Sequence, residues 1–388
     1  MKTLPDNPDL GHLKQQAKDL LAGLRDSDPA TSLATAQKAL AAQYGFRTWT
    51  DLKAEVDRTR GRAAIADPAL AQAIADRYDL GAVTGEMRSL ARPDESGRAW
   101  SLETDRGRWV ARTMDTWWPI VHPETEVALQ EAAAAAGVPL PAPVRDRDGE
   151  ILATIGGHEW RVCVWAHSRP PMAAPASAAV TRTVGTILAT VHGLAMPVDR
   201  VSPWHEQRLS SVTWAELADR AHAEGAGWAS AMSAAVPVLT ELATVGAGVP
   251  APEPVLSHNA MGPGQVRRGR HGSLVVLGWE HAGGQPPAWE LANALMDWTV
   301  DPGGGVNVAG ARALVDGYRE TAGTLPDLFL SSFRGAVTGL ANYVSGLVDF
   351  ALTGTGDEDR RYSARSVRHV LAHLPTRAAL ERLVEVVR

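Results

Sequence analysis

The chain has 388 residues but only one cysteine, Cys163. A single thiol cannot form an internal disulfide or a cysteine-rich zinc site. No apolar run reaches the roughly 18 residues that a membrane helix needs, so we expect no membrane span. The chain also lacks a strongly basic stretch, and its formal net charge is -6. It therefore lacks the electrostatic footprint of a nucleic-acid-binding protein.

The composition is that of a globular protein. Hydrophobic residues make up 45% and charged residues 21% of the chain, which is enough apolar material for a large core. The first ten residues are polar and contain prolines, unlike a secretory signal peptide. We therefore expect a cytoplasmic protein.

The first part of the chain predicts a small helical module. Apolar residues recur at helical spacing over 12–25 and 32–44, and Thr50 can cap a third helix over 51–60. Residues 1–60 carry no obvious catalytic group. Two roles stay open for this N-terminal module, namely docking a protein partner and stabilising the rest of the chain.

The remaining chain predicts two lobes. Residues 61–167 contain strand patterns and one Ala-rich helix over 124–136, which indicates a small β-rich lobe. A proline-rich segment over 169–175 is typical of a lobe boundary. Residues 168–388 are mostly helical in pattern. The sequence thus predicts an α+β architecture in which a cleft lies between the two lobes.

A loop, a strand and a helix follow one another in the large lobe. They read V-L-S-H-N-A-M-G-P-G-Q over 255–265, L-V-V-L-G-W-E over 274–280 and A-W-E-L-A over 288–292. In this order they resemble the H-G-D-x-x-x-x-N catalytic loop, the I-D-W or I-D-F strand end and the P-x-W-D-L-A helix of the aminoglycoside phosphotransferase and choline-kinase-like family. The resemblance covers roughly residues 80–350. It implies a two-lobed, protein-kinase-like fold.

At the functional positions the sequence departs from that family. The family's chemistry uses an Asp that orients or deprotonates the substrate hydroxyl, an Asn and a second Asp that hold Mg²⁺, and a Lys that grips the phosphates. A helix Glu and a loop His complete the pattern. The matching residues here are, in that order, Ala260, Gln265, Gly278, Arg112, Glu126 and His258.

The loop also contains few acidic residues. No Asp or Glu occurs from Pro254 through Gly278, whereas Arg267, Arg268, Arg270 and His271 do. Because Mg²⁺ usually takes one or two carboxylates, we do not expect a metal site here, although ATP binding stays possible. Losing a general base alone costs about 10²–10⁴ in rate, and losing a metal ligand removes charge stabilisation as well.

Three functions are compatible with this pattern. The first is a pseudokinase-like protein that binds a small molecule in the cleft, through Arg112, Glu126 and Gln265, or binds a protein partner. The second is an enzyme with metal-free chemistry, in which Glu280 or His258 is the acid or base. The third is a phosphotransferase with relocated carboxylates. The sequence also allows Arg112 to pair with Glu126, and the basic loop argues against a cationic aminoglycoside.

Overall fold

The computed structural model describes residues 2, 4–90, 98–114, 120–166, 170–269, 272–301, 303–354 and 357–388, with only the backbone at 357–359 and 361. The predicted lobe boundary at 167–168 and the basic residues Arg270 and His271 lie outside these ranges. The α+β architecture with N-terminal helices is confirmed. None of the helices within the described ranges combines the length and the apolar character needed to cross a bilayer.

All strands of the described chain lie between residues 88 and 285, and helices alone occupy the parts before and after. The α-helices are α1 Leu10–Ser27, α2 Leu33–Gln43, α3 Trp49–Thr59, α4 Pro68–Arg77, α5 Pro123–Ala135, α6 Ala178–Gly193, α7 Pro203–Glu206, α8 Trp214–Ala223, α9 Ala229–Leu242, α10 Pro287–Thr299, α11 Val308–Ala322, α12 Arg334–Thr353, α13 Asp357–Ala372 and α14 Arg377–Val387. The strands are β1 Arg88–Ser89, β2 Ala99–Thr104, β3 Gly107–Thr113, β4 Pro143–Val144, β5 Ala153–Ile155, β6 His158–Val164, β7 Val255–Ser257, β8 Val266–Arg268, β9 Leu274–Val276 and β10 Gly283–Gln285.

Local chemistry explains where several helices begin. Thr48 and Thr213 each form a capping box. The threonine hydroxyl accepts the backbone N–H of the third helical residue, and the acidic side chain of that residue accepts the backbone N–H of the threonine. Helix α10 starts with Pro287, whose missing N–H costs nothing at a first helical position. The sequence predicted this helix over 287–299, as the structure has it.

The small lobe is an antiparallel sheet with two different faces. Its order is β1-β2-β3-β6-β4, and β5 pairs with the outer part of β6. One face carries Ala111, Trp160 and Val162, which pack with α4 in an apolar cluster. Because side chains alternate along a strand, Arg112 and Arg161 point to the opposite face. These two arginines occupy directly opposite positions on the neighbouring strands β3 and β6.

The large lobe has two apolar clusters. The larger one joins α6, α10, α11 and α14 and is centred on fully buried residues such as Trp298 and Leu314. The second joins α8, α9, α12 and α13. Two short antiparallel strand pairs lie on the first cluster. Strand β7 pairs with β10, and β8 pairs with β9. The segments between these strands, 258–265 and 277–282, form the candidate site.

A buried ion pair fastens α5 to the sheet. The guanidinium of Arg161 donates to both carboxylate oxygens of Glu126 at 2.6 and 2.7 Å, and its Nη2 also reaches Gln130 Oε1 at 3.1 Å. Both charged side chains are almost fully buried, with 6% and 1% of their side-chain surface exposed. Burial lowers the pKa of Arg161, but the Glu126 carboxylate raises it more, so this side chain remains charged.

Removing one partner of this pair should be strongly destabilising. We expect Arg161→Met to lower the free energy of unfolding by about 3–5 kcal/mol, because Glu126 is left buried without its cation. Arg145→Met is the matched control, since Arg145 pairs with Glu124 of the same helix at 2.9 Å on the surface. The control should cost at most about 1 kcal/mol. Urea denaturation measures both, and equal costs would contradict this assignment.

Candidate functional site

The backbone of the loop at 258–265 is held by a buried carboxylate from α10. Glu290 accepts the Asn259 N–H at 2.6 Å through Oε1, and its Oε2 lies 2.7 Å from His192 Nε2. The other ring nitrogen of His192 lies 3.0 Å from the Tyr318 hydroxyl. Burial opposes ionisation of Glu290, yet its hydrogen bonds to His192 and the Asn259 N–H lower its pKa overall. The loop is therefore anchored by an ionised side chain in the core of the large lobe.

His258 is part of this scaffold. Its ring is fully buried and meets Trp279 edge-on at 4.8 Å between centroids. Its Nε2–H donates to the Leu277 carbonyl at 2.9 Å, and its Nδ1 accepts the Ala260 N–H at 3.2 Å. Burial lowers the pKa of His258 to about 4. Both nitrogens are thus engaged in a neutral ring, which favours a loop-supporting role over the catalytic role that we considered from the sequence.

Gln265 occupies the space beside Gly278. A Cβ placed on Gly278 would lie 2.8 Å from Gln265 Cδ and 3.0 Å from its Oε1. Gly278 also has a φ of 82°, in the left-handed region that side chains disfavour. The Leu277 N–H donates to the Gln265 carbonyl at 2.8 Å, which ties the two segments together. The position expected to carry a metal-binding Asp is therefore filled by a neighbouring side chain.

Glu280 lies close to Arg112. Their charged groups are 3.7 Å apart, and the side chains are 15% and 26% exposed. Burial alone would raise the pKa of Glu280, but Arg112, His281 and Arg161 lower it to about 2. A carboxylate with so low a pKa is a poor general acid or base at neutral pH, because efficiency requires a pKa near the operating pH.

The structure brings several sequence-selected residues together but changes one pairing. The sequence allowed Arg112 to pair with Glu126. In the structure Arg161, which the sequence analysis did not single out, holds Glu126, and Arg112 stands beside Glu280. Arg161 also influences the pKa of Glu280, so the four side chains form one network of alternating charge. Arg112 and Arg161 stand directly opposite each other on β3 and β6, and it is Arg161 that pairs with Glu126.

Asp297 is an acid at the loop that the sequence analysis missed. Its Oδ2 lies 3.1 Å from the position that a Cβ on Gly262 would take. Burial raises the pKa of Asp297 to about 7. Asp297 follows Glu290 by two helical turns on α10, a spacing that sets both side chains on one face. That spacing is the signal that could have identified it.

A cavity of about 370 Å³ adjoins the loop, between the start of α5 and the segment 197–203. Its walls include Ile120, Thr125, Val198, Arg200, Ser202 and Gly284. Within the described structure, Ser202 Oγ and both amide atoms of Asn259 are buried without a hydrogen-bond partner. Asn259 lies behind this wall, since a Cβ on Gly283 would come within 2.7 Å of both the Asn259 side chain and the Ile120 side chain that lines the cavity.

The loop and its surroundings offer no ready metal-binding cluster among the described residues. In the ranges that the structure describes, no group of three or more His, Cys, Asp or Glu side chains is arranged to hold a metal ion. Of the acids near the loop, Glu280 and Glu290 are already paired with basic groups, and burial opposes the ionisation of Asp297. The donor set at the loop therefore does not fit Mg²⁺.

The short distance between Gly278 and the Gln265 side chain predicts that a side chain at position 278 lowers the free energy of unfolding. We expect Gly278→Asp to lower the free energy of unfolding by about 1–3 kcal/mol more than Gly149→Asp, because only the first substitution meets a neighbour. Gly149 has a similar φ of 88° and open space around it, so it controls for backbone strain. Adding Gln265→Ala to Gly278→Asp should remove the difference. If the double variant is no more stable than Gly278→Asp, Gln265 is not the obstacle.

The neutral ring of His258 predicts a pH-dependent difference. The folded-state pKa of about 4 lies below the ordinary 6.5, so the unfolded chain binds the proton more readily as pH falls. Stability from this group is therefore full above pH 6.5 and is lost towards pH 4. His258→Gln cannot titrate, so the stability difference between wild type and variant should shrink by about 2 kcal/mol from pH 7 to pH 5. A constant difference in urea denaturation would contradict a buried neutral histidine.

Comparison with known proteins agrees with this geometry at the level of the fold. A spectinomycin phosphotransferase, solved with ADP and spectinomycin, is similar at a TM-score of 0.60 and 13% identity over 82% of this chain and 97% of that one. An amicoumacin kinase, solved with AMP-PNP, Ca²⁺ and its ligand, is similar at a TM-score of 0.53 and 12% identity over 84% and 97% of the two chains. A search of curated proteins found no match to the sequence.

Family models match two parts of the sequence. Residues 3–106 match a model described as a glyoxalase superfamily protein, which spans the N-terminal module and the first strands of the small lobe. Residues 88–323, more than half of the chain, match the model of the phosphotransferase enzyme family that includes the aminoglycoside phosphotransferases. Together with the two-lobed fold and the order of the loop motifs, this match establishes that the chain belongs to the aminoglycoside phosphotransferase family.

Proposed function

We propose that this protein is a pseudokinase-like member of its family, which binds a small molecule without metal-dependent phosphoryl transfer. The observation that carries the proposal is the packing of Gln265 against Gly278. A carboxylate at this position would be needed to hold Mg²⁺ against a phosphate. Here Gly278 has no carboxylate to offer and the Gln265 side chain lies where one would stand, so a metal would lack this ligand.

The charges of the cleft support the same proposal. Arg112 stands where the resemblance places a phosphate-gripping lysine, and Glu280 is near enough to neutralise it. Arg161 and Glu126 form the second pair of the network. A phosphate would have to compete with Glu280 for Arg112, and without a metal its own charge would repel that carboxylate.

An enzyme with metal-free chemistry is less well supported. Such chemistry needs a group that exchanges a proton near neutral pH. His258 is enclosed and neutral, Glu280 is ionised and paired, and Ala260 has no functional group. The geometry therefore offers none of these three residues as the acid or base, and Asp297, whose pKa burial raises to about 7, is the acid at the loop that meets this requirement.

A phosphotransferase with relocated carboxylates would have to use Asp297, the additional acid at the loop. Metal ligands must be deprotonated, and burial holds the pKa of Asp297 near 7. Asp297 therefore adds little support to this alternative.

The cavity beside Asn259 is the best-supported place for the ligand. Its volume falls in the usual range for small-molecule sites, and its wall carries Thr125, Asp199, Arg200 and Ser202. Hydroxyl groups together with side chains of both charge signs suit a polar ligand better than a polycation. The cytoplasmic location expected from the sequence remains a prediction.

The test is a thermal-shift titration with ATP, in Mg²⁺ and in EDTA. A ligand at 100 times its dissociation constant stabilises a protein by about 2.7 kcal/mol, which such an assay resolves. We expect Mg²⁺ to leave any ATP-dependent shift unchanged. A shift that requires Mg²⁺, accompanied by release of ADP, would refute the proposal.

The matched control restores the family's residues in this chain. The triple variant Ala260→Asp, Gln265→Asn and Gly278→Asp regains the carboxylates and removes the longer Gln265 side chain. We expect this variant alone to acquire a Mg²⁺-dependent ATP shift. If wild type and triple variant respond to Mg²⁺ in the same way, the three positions do not determine metal use.

A further inference from the structure

The N-terminal module touches the connection between the lobes at backbone level. Helix α1 lies so close to the linker, defined here as residues 170–177, that a Cβ on Gly23 would come within 2.0 Å of the Pro175 carbonyl oxygen. Asn307 at the start of α11 donates to the Gly23 carbonyl at 3.3 Å. Ala173 of the linker is part of the module's own apolar core. Only a residue without a side chain fits at position 23.

Polar side chains of the module occupy the linker's carbonyl groups. Gln43 donates to the Ala174 carbonyl at 2.6 Å, and Gln16 donates to the Pro171 carbonyl. Lys2 donates to the next carbonyl along the linker. An extended segment needs partners for its backbone groups, and the module supplies several of them.

Two carboxylates of α1 reach into the large lobe. Asp26 accepts the Ala178 N–H at 2.7 Å and thereby caps α6, whose own N-cap residue Ser177 makes no side-chain cap. Asp19 pairs with Arg268 of β8 at 3.2 Å, next to the loop that carries Gln265. Exposure of these two partners is only 14% and 27%.

The same module is joined to the small lobe at its edge strand. The Asp6 N–H donates to the Leu90 carbonyl at 3.1 Å, and the Asp6 carboxylate accepts from the Ser89 hydroxyl. The segment that leaves the module pairs with β1 from the other side, since the Ser89 N–H donates to the Ala64 carbonyl at 2.9 Å. The module thus contacts the linker and both lobes.

We propose that residues 1–60 act as an intramolecular clamp that fixes the angle between the two lobes. Lobe closure in two-lobed proteins requires rotation in the few residues that join the lobes. Here residues 170–177 of that connection are held between the module and the large lobe, since the Met172 N–H donates to the Val266 carbonyl at 3.0 Å, and the module also contacts the small lobe. The clamp does not depend on which ligand the cleft takes. The surface of the module that forms these contacts is occupied by the rest of the same chain.

Gly23→Ala gives the sharpest test. Alanine is the better helix former, so the substitution should strengthen α1 by itself, yet its Cβ collides with Pro175. Gly11→Ala makes the same change in the first turn of α1, away from the linker, where its Cβ would meet only the Asp9 carboxylate that caps the helix. Hydrogen–deuterium exchange of the linker and of the start of α6 is the readout. We expect exchange at least about tenfold faster in Gly23→Ala and unchanged in Gly11→Ala.

A second pair of variants covers the case in which Gly23→Ala does not fold. Asp19→Asn removes the ion pair to Arg268 in the large lobe, whereas Glu55→Gln removes a pair to Arg58 within α3. Faster exchange in the linker for Asp19→Asn alone supports the clamp. The clamp proposal is overturned if hydrogen–deuterium exchange of the linker in Asp19→Asn, or in a folded Gly23→Ala, is the same as in wild type. Neither result bears on ATP binding, so this test is independent of the proposed function.

Discussion

Charge balance inside the cleft is the constraint on which the candidate site depends. The β3–β6 register places Arg112 directly opposite Arg161, and two like charges in that position would repel each other. Each arginine therefore needs a carboxylate, and Glu280 and Glu126 provide them from the loop and from α5. In an active phosphotransferase a lysine of the cleft grips the nucleotide phosphates, and Asp and Asn side chains hold the metal. Here both arginines are engaged with carboxylates of the protein, so the small lobe, α5 and the loop are joined without a ligand.

The loop shows the same independence from a metal. Its position is set by Glu290, which binds the Asn259 N–H and His192, and by His258, which links the Ala260 N–H to the Leu277 carbonyl. None of these contacts needs an ion. Gln265 then fills the volume at Gly278 that the absent side chain would take. A functional position that loses its side chain would leave a cavity, and packing by a neighbour avoids that cost.

Much of the fold could be predicted from the sequence, because helix spacing, caps and turn residues act locally. The helix over 287–299 and the strands around 99–113 followed from such local signals. The partner of Glu126 could not be derived in this way, since it depends on the register between β3 and β6. The crowding of Gly278 depends equally on tertiary packing. Asp297 was within reach, because its spacing from Glu290 on one helix predicts a shared face.

The N-terminal module connects these features. A kinase-like cleft that takes up and releases nucleotide benefits from lobes that can move, since closure assembles the site and opening frees the product. In the proposed pseudokinase-like role, the paired charges of the cleft and the Gln265 side chain beside Gly278 leave lobe closure nothing to assemble. Lobe motion would then only break the Arg112–Glu280 contact between the lobes. A clamp on the linker is consistent with this state, because it holds both lobes at the distance at which their opposite charges meet.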